Sequence, residues 1–203
     1  MGVYGFLHGG LIVEDGKRDG DVLSPLLHRC AIPEGWRVAL LRPEVASGLH
    51  GAKEQQAFAA LPAVAEATSQ QLRREVSQQM LPALADADFE AFSRSVTTYG
   101  EIAGGCFADT QGGPYNGPVL QELVQVVRKL GVPGVGQSSW GPTIYCFLPS
   151  ESAAARFAKQ AGDKLPGANL QITRPCNHGA TIKSNQSANP HPPGMSCTLS
   201  RNP

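Results

Sequence analysis

The chain has 203 residues, 41% of them hydrophobic, which is ordinary for a globular protein and enough to bury a core. Its 17 Lys and Arg balance 17 Asp and Glu, so bulk charge supports neither nucleic acid nor an anionic membrane as a partner. No apolar run approaches the roughly 18 residues of a membrane span and no basic-then-apolar leader opens the sequence, which makes the cytoplasm the expected compartment.

Five scattered cysteines, Cys30, Cys106, Cys146, Cys176 and Cys197, form no CxxC pair and read as reduced thiols. In chain order, Leu11 to Val13 is a strand ending at the Asp15-Gly16 turn, with nothing before it to pair with. Arg37 to Arg42 is a second strand, stopped by Pro43. From Ala63 to about Gly104 the pattern is helical: Leu72, Val76, Met80 and Leu84, then Phe89, Phe92, Val96 and Tyr99, recur at helical spacing and read as core. Pro82 is expected to kink or split this region, with Asp86 or Asp88 capping the second helix.

Asn116 and Pro118 open the next helix, Leu120, Leu123, Val124 and Val127 share its inner face, and Gly131 closes it. The stretch GVGQSSWGPTIY follows, leading into a strand from Thr143 to Leu148. Its glycines at 134, 136 and 141 fit neither the dinucleotide fingerprint nor the lysine-bearing phosphate loop, and the order helix, loop, strand is the reverse of both. Two readings stay open for this helix-to-strand turn. Its amides, with the hydroxyls of Ser138 and Ser139, form an anion-binding nest, or its glycines only satisfy backbone geometry.

Ser150 caps a helix running to Leu165, with Ala154, Phe157, Ala158 and Ala161 inward, and Asn169 to Thr173 is a last strand. The succession predicts an α+β fold in which helices cover one face of a small sheet. Residues 183–203, rich in Ser, Asn and Pro, predict a disordered tail in which His191 has no metal role.

Five segments occur in the order GFLHGGLIVEDG, RVALLRPEVASGLHGAKEQQAF, FADTQGGPYNG, GVGQSSWGPTIY and RPCNHGA. Together they resemble the C-terminal part of the β-ribofuranosylaminobenzene 5′-phosphate synthases, members of the galactokinase, homoserine kinase, mevalonate kinase and phosphomevalonate kinase (GHMP) superfamily. The resemblance covers roughly residues 2 to 182. It implies a ferredoxin-like GHMP C-terminal domain over 31–182. Residues 1–30 would be a remnant of an N-terminal domain that carries the principal phosphate loop, and the tail over 183–203 lies outside.

The implied activity joins a 4-substituted benzoate to phosphoribosyl pyrophosphate with loss of carbon dioxide and pyrophosphate, in methanopterin-type cofactor synthesis. Under it, Gly134, Gly136, Gln137, Ser138, Ser139, Trp140 and Gly141 would meet an anionic small-molecule substrate, and Arg174 with Asn177 would clamp phosphate. Trp140 is either a wall for the aromatic ring or a core anchor. His8 reads as a hydrogen-bonded turn residue before an acid or base, and Lys53 with Glu54 as a helix start. Gln111, Gly112 and Gly113 shape a loop facing the glycine motif.

No catalytic residue and no protein metal site are assigned. Mg2+ would arrive with the pyrophosphate substrate. The alternatives are an ATP-dependent kinase of the same superfamily, with ATP as its cofactor, and a non-catalytic binding module. The isolated chain is expected to lack activity and, with an apolar patch left beside Leu11 to Val13, to self-associate, for instance as a homodimer.

Overall fold

Strand alternation builds the centre of the molecule. In β5 (Ile144–Leu148), Ile144, Cys146 and Leu148 are buried on one side of the sheet, and Tyr145 and Phe147 point to the other. In β3 (Arg37–Pro43), Ala39 and Leu41 join the first side and Val38 the second. With β4 (Val135–Gln137) and β6 (Ala168–Thr173) these strands form one antiparallel sheet in the order β4-β5-β3-β6.

The computed structural model describes residues 2–17, 20–44, 51–165 and 167–181. The expected tail, with His191 and Cys197, lies outside the described residues, as does the Lys53 side chain. The remaining elements are α1 (Val3–His8), β1 (Leu11–Glu14), β2 (Leu26–Cys30), α2 (Ala52–Ala60), α3 (Glu66–Arg74), a π-helical turn Glu75–Met80, α4 (Leu81–Ala85), α5 (Phe89–Gly105), α6 (Ala108–Gln111), α7 (Gly117–Lys129) and α8 (Glu151–Lys164). The four-stranded sheet with its connections follows the β-α-β-β-α-β plan of the ferredoxin-like fold, the α+β class expected from the sequence. Among the described residues no helix is long and apolar enough to cross a membrane.

Helices lie on both faces of the sheet, where the sequence pointed to one. Leu120, Leu123, Val124 and Val127 of α7 and Ala154, Phe157 and Ala161 of α8 pack with Ala39, Leu41, Ile144 and Cys146. Met80, Leu84, Phe92 and Val96 pack with Trp36 and Phe147 on the opposite face. One helical stripe therefore supplies the second layer, which periodicity alone could not assign to a face.

Three other expectations are corrected. Leu11 to Val13 is not without neighbours: β1 pairs antiparallel with β2, Leu11 opposite Cys30 and Val13 opposite His28. Pro82 does not split the helix. The wide turn from Glu75 to Met80 precedes it, so the missing proline N–H falls inside a continuous helical path, and the break comes at Asp86 to Asp88. There Asp88 caps α5 by accepting from the Ala91 amide at 3.0 Å. Third, VGQ is itself a strand. The helix-to-strand turn is an edge strand plus a hairpin loop, with Gly136 directly opposite Tyr145.

The glycines of β4 have a packing reason. A side chain at Gly134 would overlap Ser93 of α5, and one at Gly136 would overlap the Tyr145 ring and hydroxyl. Thr97 of α5 donates its hydroxyl to the Pro133 carbonyl and accepts from the Val135 amide at 3.1 Å. The helix thereby meets backbone groups at the start of this edge strand.

Candidate functional site

The hairpin loop between β4 and β5 is held from several sides. The Ser138 amide donates to the Thr143 carbonyl and the Gly141 amide to the Ser138 carbonyl, each at 2.9 Å. Gly141, with φ +71, precedes a cis peptide bond to Pro142, and Ser139 sits at φ +49. Gln137 accepts from the Asn116 amide at 2.7 Å and donates to the Ser139 carbonyl at 2.7 Å and to Gln111 at 3.3 Å. Asn116 precedes α7 without capping it through its side chain, which instead donates to the Trp140 carbonyl at 2.7 Å. Ser139 donates to Glu54 at 3.3 Å.

Beside this loop lies a cleft of about 560 Å³. Trp140, only 3% exposed, forms one wall with Phe58 and Phe107, the three rings meeting edge to face with centroids 5.1 to 6.0 Å apart. Trp140 is thus both a packed ring and a cleft wall. Leu72, Tyr99, Gly100, Cys106 and Tyr145 also line it, and Gln111, Gln137 and Ser139 add polar side chains. Gln111 does face the glycine motif, as its loop was expected to do.

The electrostatic character of the cleft is neutral. No Lys or Arg is among its lining residues. Burial, with the neighbouring Tyr99 and Tyr115 adding smaller contributions, pushes the Tyr145 hydroxyl up to about 12. Burial likewise raises Tyr99, helped by Cys106. Arg73, which follows the lining residue Leu72 but does not itself line the cleft, forms ion pairs with Asp15 at 3.7 Å and Glu66 at 3.9 Å. Among the described residues no group of three His, Cys, Asp or Glu side chains could hold a metal ion, so the residues present do not build a metal cage at the cleft.

Arg174 and Asn177 lie elsewhere. Thr173 of β6 is in register with Val38, whereas Gln137 of β4 is in register, through Ile144, with Leu41. Three strand spacings and three residues separate them, about 17 Å on sheet dimensions. The Asn177 amide is committed to backbone: Oδ1 accepts from the Ile32 N–H and Nδ2 donates to the Ile32 carbonyl, both at 2.8 Å. Arg29 donates to the carbonyls of Asn177, Gly9 and His8. The Gly10 amide donates to the Cys176 carbonyl and the Ala180 amide to the Phe6 carbonyl, each at 2.7 Å. His8 is exposed at the end of α1 beside this lock.

Sequence reading missed Phe58, Phe107, Tyr99 and Tyr145 as cleft residues. The alternation in TIYCFL, which sends Tyr145 away from Ile144 and Cys146, was the available signal, and Tyr99 already stood at the end of the helical stripe.

Residues 80–167 match the family model described as GHMP kinases C terminal. The chain is similar to the beta-ribofuranosylphenol 5′-phosphate synthase of Methanothermobacter thermautotrophicus, 28% identical over 192 residues that cover 89% of this chain and 56% of the relative. The protein of the same name from Archaeoglobus fulgidus is 28% identical over 177 residues, covering 75% of this chain and 49% of the relative. The chain thus spans about half the length of the curated relatives it matches.

Among solved structures, it is similar in fold to a homoserine kinase from Cytophaga hutchinsonii, with a TM-score of 0.57 and 17% identity over 87% of this chain and 52% of that one. The mevalonate pyrophosphate decarboxylase of Streptococcus pyogenes gives a TM-score of 0.60 and 12% identity, covering 77% of this chain and 49% of its own. L. major mevalonate kinase, solved with R-mevalonate, gives 0.54 and 15%, covering 82% and 50%.

Proposed function

We propose that this chain, which carries a GHMP kinase C-terminal domain over residues 80–167, supplies the aromatic-acceptor half of a β-ribofuranosylphenol 5′-phosphate synthase. The observation that carries the reading is the aromatic cleft beside QSSWGP, walled by Phe58, Phe107 and Trp140 and free of cationic lining. Such a cleft suits a flat ring and not a polyanion. The relatives' name specifies a ribofuranosylphenol, which favours 4-hydroxybenzoate over 4-aminobenzoate as acceptor.

The reaction balances as a substitution at the ring carbon that bears the carboxylate. That carbon bonds to C1′ of the phosphoribosyl group, the C–CO2 bonding pair returns to the ring as carbon dioxide leaves, and the C1′–O pair departs with pyrophosphate. Phe58, Phe107 and Trp140 would orient the ring and exclude water. Ser138 and Ser139, both exposed at the loop tip, stand where a departing pyrophosphate could meet their hydroxyls. Asn177 belongs to the interlock and Arg174 follows β6, at the sheet edge opposite β4, so this reading gives neither a part in the site. Mg2+ would enter as a companion of the pyrophosphate substrate.

The test is product formation. The chain joined to the preceding half of the Methanothermobacter relative should release carbon dioxide from 4-hydroxybenzoate only when phosphoribosyl pyrophosphate is present. ATP hydrolysis without carbon dioxide release would instead assign a kinase.

A further inference from the structure

Among the described residues Tyr145, like Tyr99, lines the cleft without a hydrogen-bond partner for its hydroxyl, and the position of Tyr145 is fixed by a glycine. Gly136 faces it across the β4–β5 pair, and a Cβ there would overlap both the ring carbon bearing the hydroxyl and the hydroxyl itself. The phenol therefore lies over bare backbone, covering an edge-strand glycine as aromatic residues do. Gly100 of α5 lies near the same spot: a Cβ added there would sit 4.0 Å from the Gly136 Cα. Buried tyrosine hydroxyls ordinarily find a partner. Here none is found among the described residues, and Tyr145 lines the cleft.

We propose that Tyr145 is the specificity-determining residue of this cleft, hydrogen-bonding the phenolic oxygen of the acceptor and fixing the ring with its hydroxyl inward and its carboxylate outward. The proposal rests on the synthase reading for the identity of the acceptor. Two features give the orientation. The inner cleft offers donors and apolar carbon but no cation, so a carboxylate buried there would be desolvated without a counter-charge. The ring carbon that loses the carboxylate must also face the second reactant, which the outward pose provides. Burial keeps the Tyr145 phenol protonated through the neutral range, so it remains a donor there. Tyr99, which also lines the cleft, adds a second hydroxyl.

The experiment is calorimetric titration of the full chain and its Tyr145→Phe variant with phenol, 4-hydroxybenzoate and benzoate. The expected result is roughly 10-fold weaker binding of phenol and 4-hydroxybenzoate by Tyr145→Phe with benzoate unchanged, the size of one lost hydrogen bond. Equal weakening of all three ligands, no weakening, or no saturable binding of 4-hydroxybenzoate by the unsubstituted chain would overturn the assignment. So would an unfolded Tyr145→Phe, because a hydroxyl without a protein partner carries no stability. The two readings fail separately. Carbon dioxide release by the joined enzyme with unchanged Tyr145→Phe selectivity sinks the specificity role alone, and Tyr145-dependent phenol binding without any release sinks the synthase alone.

Discussion

The hairpin at 134–141 and the interlock at 174–180 present the same features in sequence: glycines, small polar residues and an amide side chain following or leading a strand. They differ in what their polar groups face. At the interlock, Asn177 and Arg29 bond backbone carbonyls and amides of other segments, and Gly9 and Gly179 press so closely on neighbouring backbone that no side chain fits. At the hairpin, backbone groups are satisfied within the loop while aromatic rings and a phenol open onto a cleft. An amide that holds backbone is structural, and a hydroxyl left facing a cavity is available to a ligand.

Alkaline pH should perturb the hairpin side most. Tyr145 is raised from 10.0 to about 12 and Cys146, beside it in β5, from 9.0 to about 12, both chiefly by burial. In the unfolded chain both ionise first, so stability present below pH 9 is lost progressively as pH rises toward 12. The summed loss approaches about 7 kcal/mol, from rises of about two and three pK units at about 1.36 kcal/mol each. Denaturant unfolding at pH 8, 10 and 11 should show this fall, with a shallower slope in Tyr145→Phe.

The interlock is broken by Asn177→Ala, which leaves the Ile32 N–H and carbonyl without their partners. The expected cost is about 3 kcal/mol, a drop in Tm of roughly 6–12 °C, with affinity for 4-hydroxybenzoate at low temperature unchanged. Weakened ligand binding by a folded Asn177→Ala protein would return this residue to the site. The opposite pattern is expected of Gly136→Ala. Displacing Tyr145 should cost about 2 kcal/mol and reduce phenol affinity at least as much as Tyr145→Phe does. Replacing Ser138 and Ser139 together by alanine should change stability within about ±0.5 kcal/mol, since both are exposed. In the joined enzyme it should lower turnover more than it weakens substrate binding, if their hydroxyls act on the departing pyrophosphate. Steady-state kinetics separates the two quantities.

Local rules written in a few neighbouring residues were legible before any coordinates. Ser150 accepts from the Ala153 amide at 3.1 Å and starts α8. Asp88 caps α5, and the spacing of Leu120, Leu123, Val124 and Val127 buries one face of α7. The strands at 37, 144 and 168 were placed to within about a residue, because β-branched and aromatic runs ending at Pro43, Pro149 and Gly167 carry their own boundaries. β2 was not seen. LLHRC has three consecutive exposed residues between half-buried ends, no alternation, and only pairing with β1 makes it a strand.

What the sequence by itself determined is therefore the succession of elements, the α+β class and the stretch from 134 to 145 as a place of interest. Which glycine serves packing and which hydroxyl serves a ligand was decided only in the tertiary structure. Both depend on the element lying across the gap: α5 over Gly134, Tyr145 over Gly136, Ile32 against Asn177. Those neighbours, Ser93 of α5, Tyr145 and Ile32, are 41, nine and 145 residues away along the chain. No local spacing encodes a contact whose partner is brought in by the sheet order and by a helix crossing its edge.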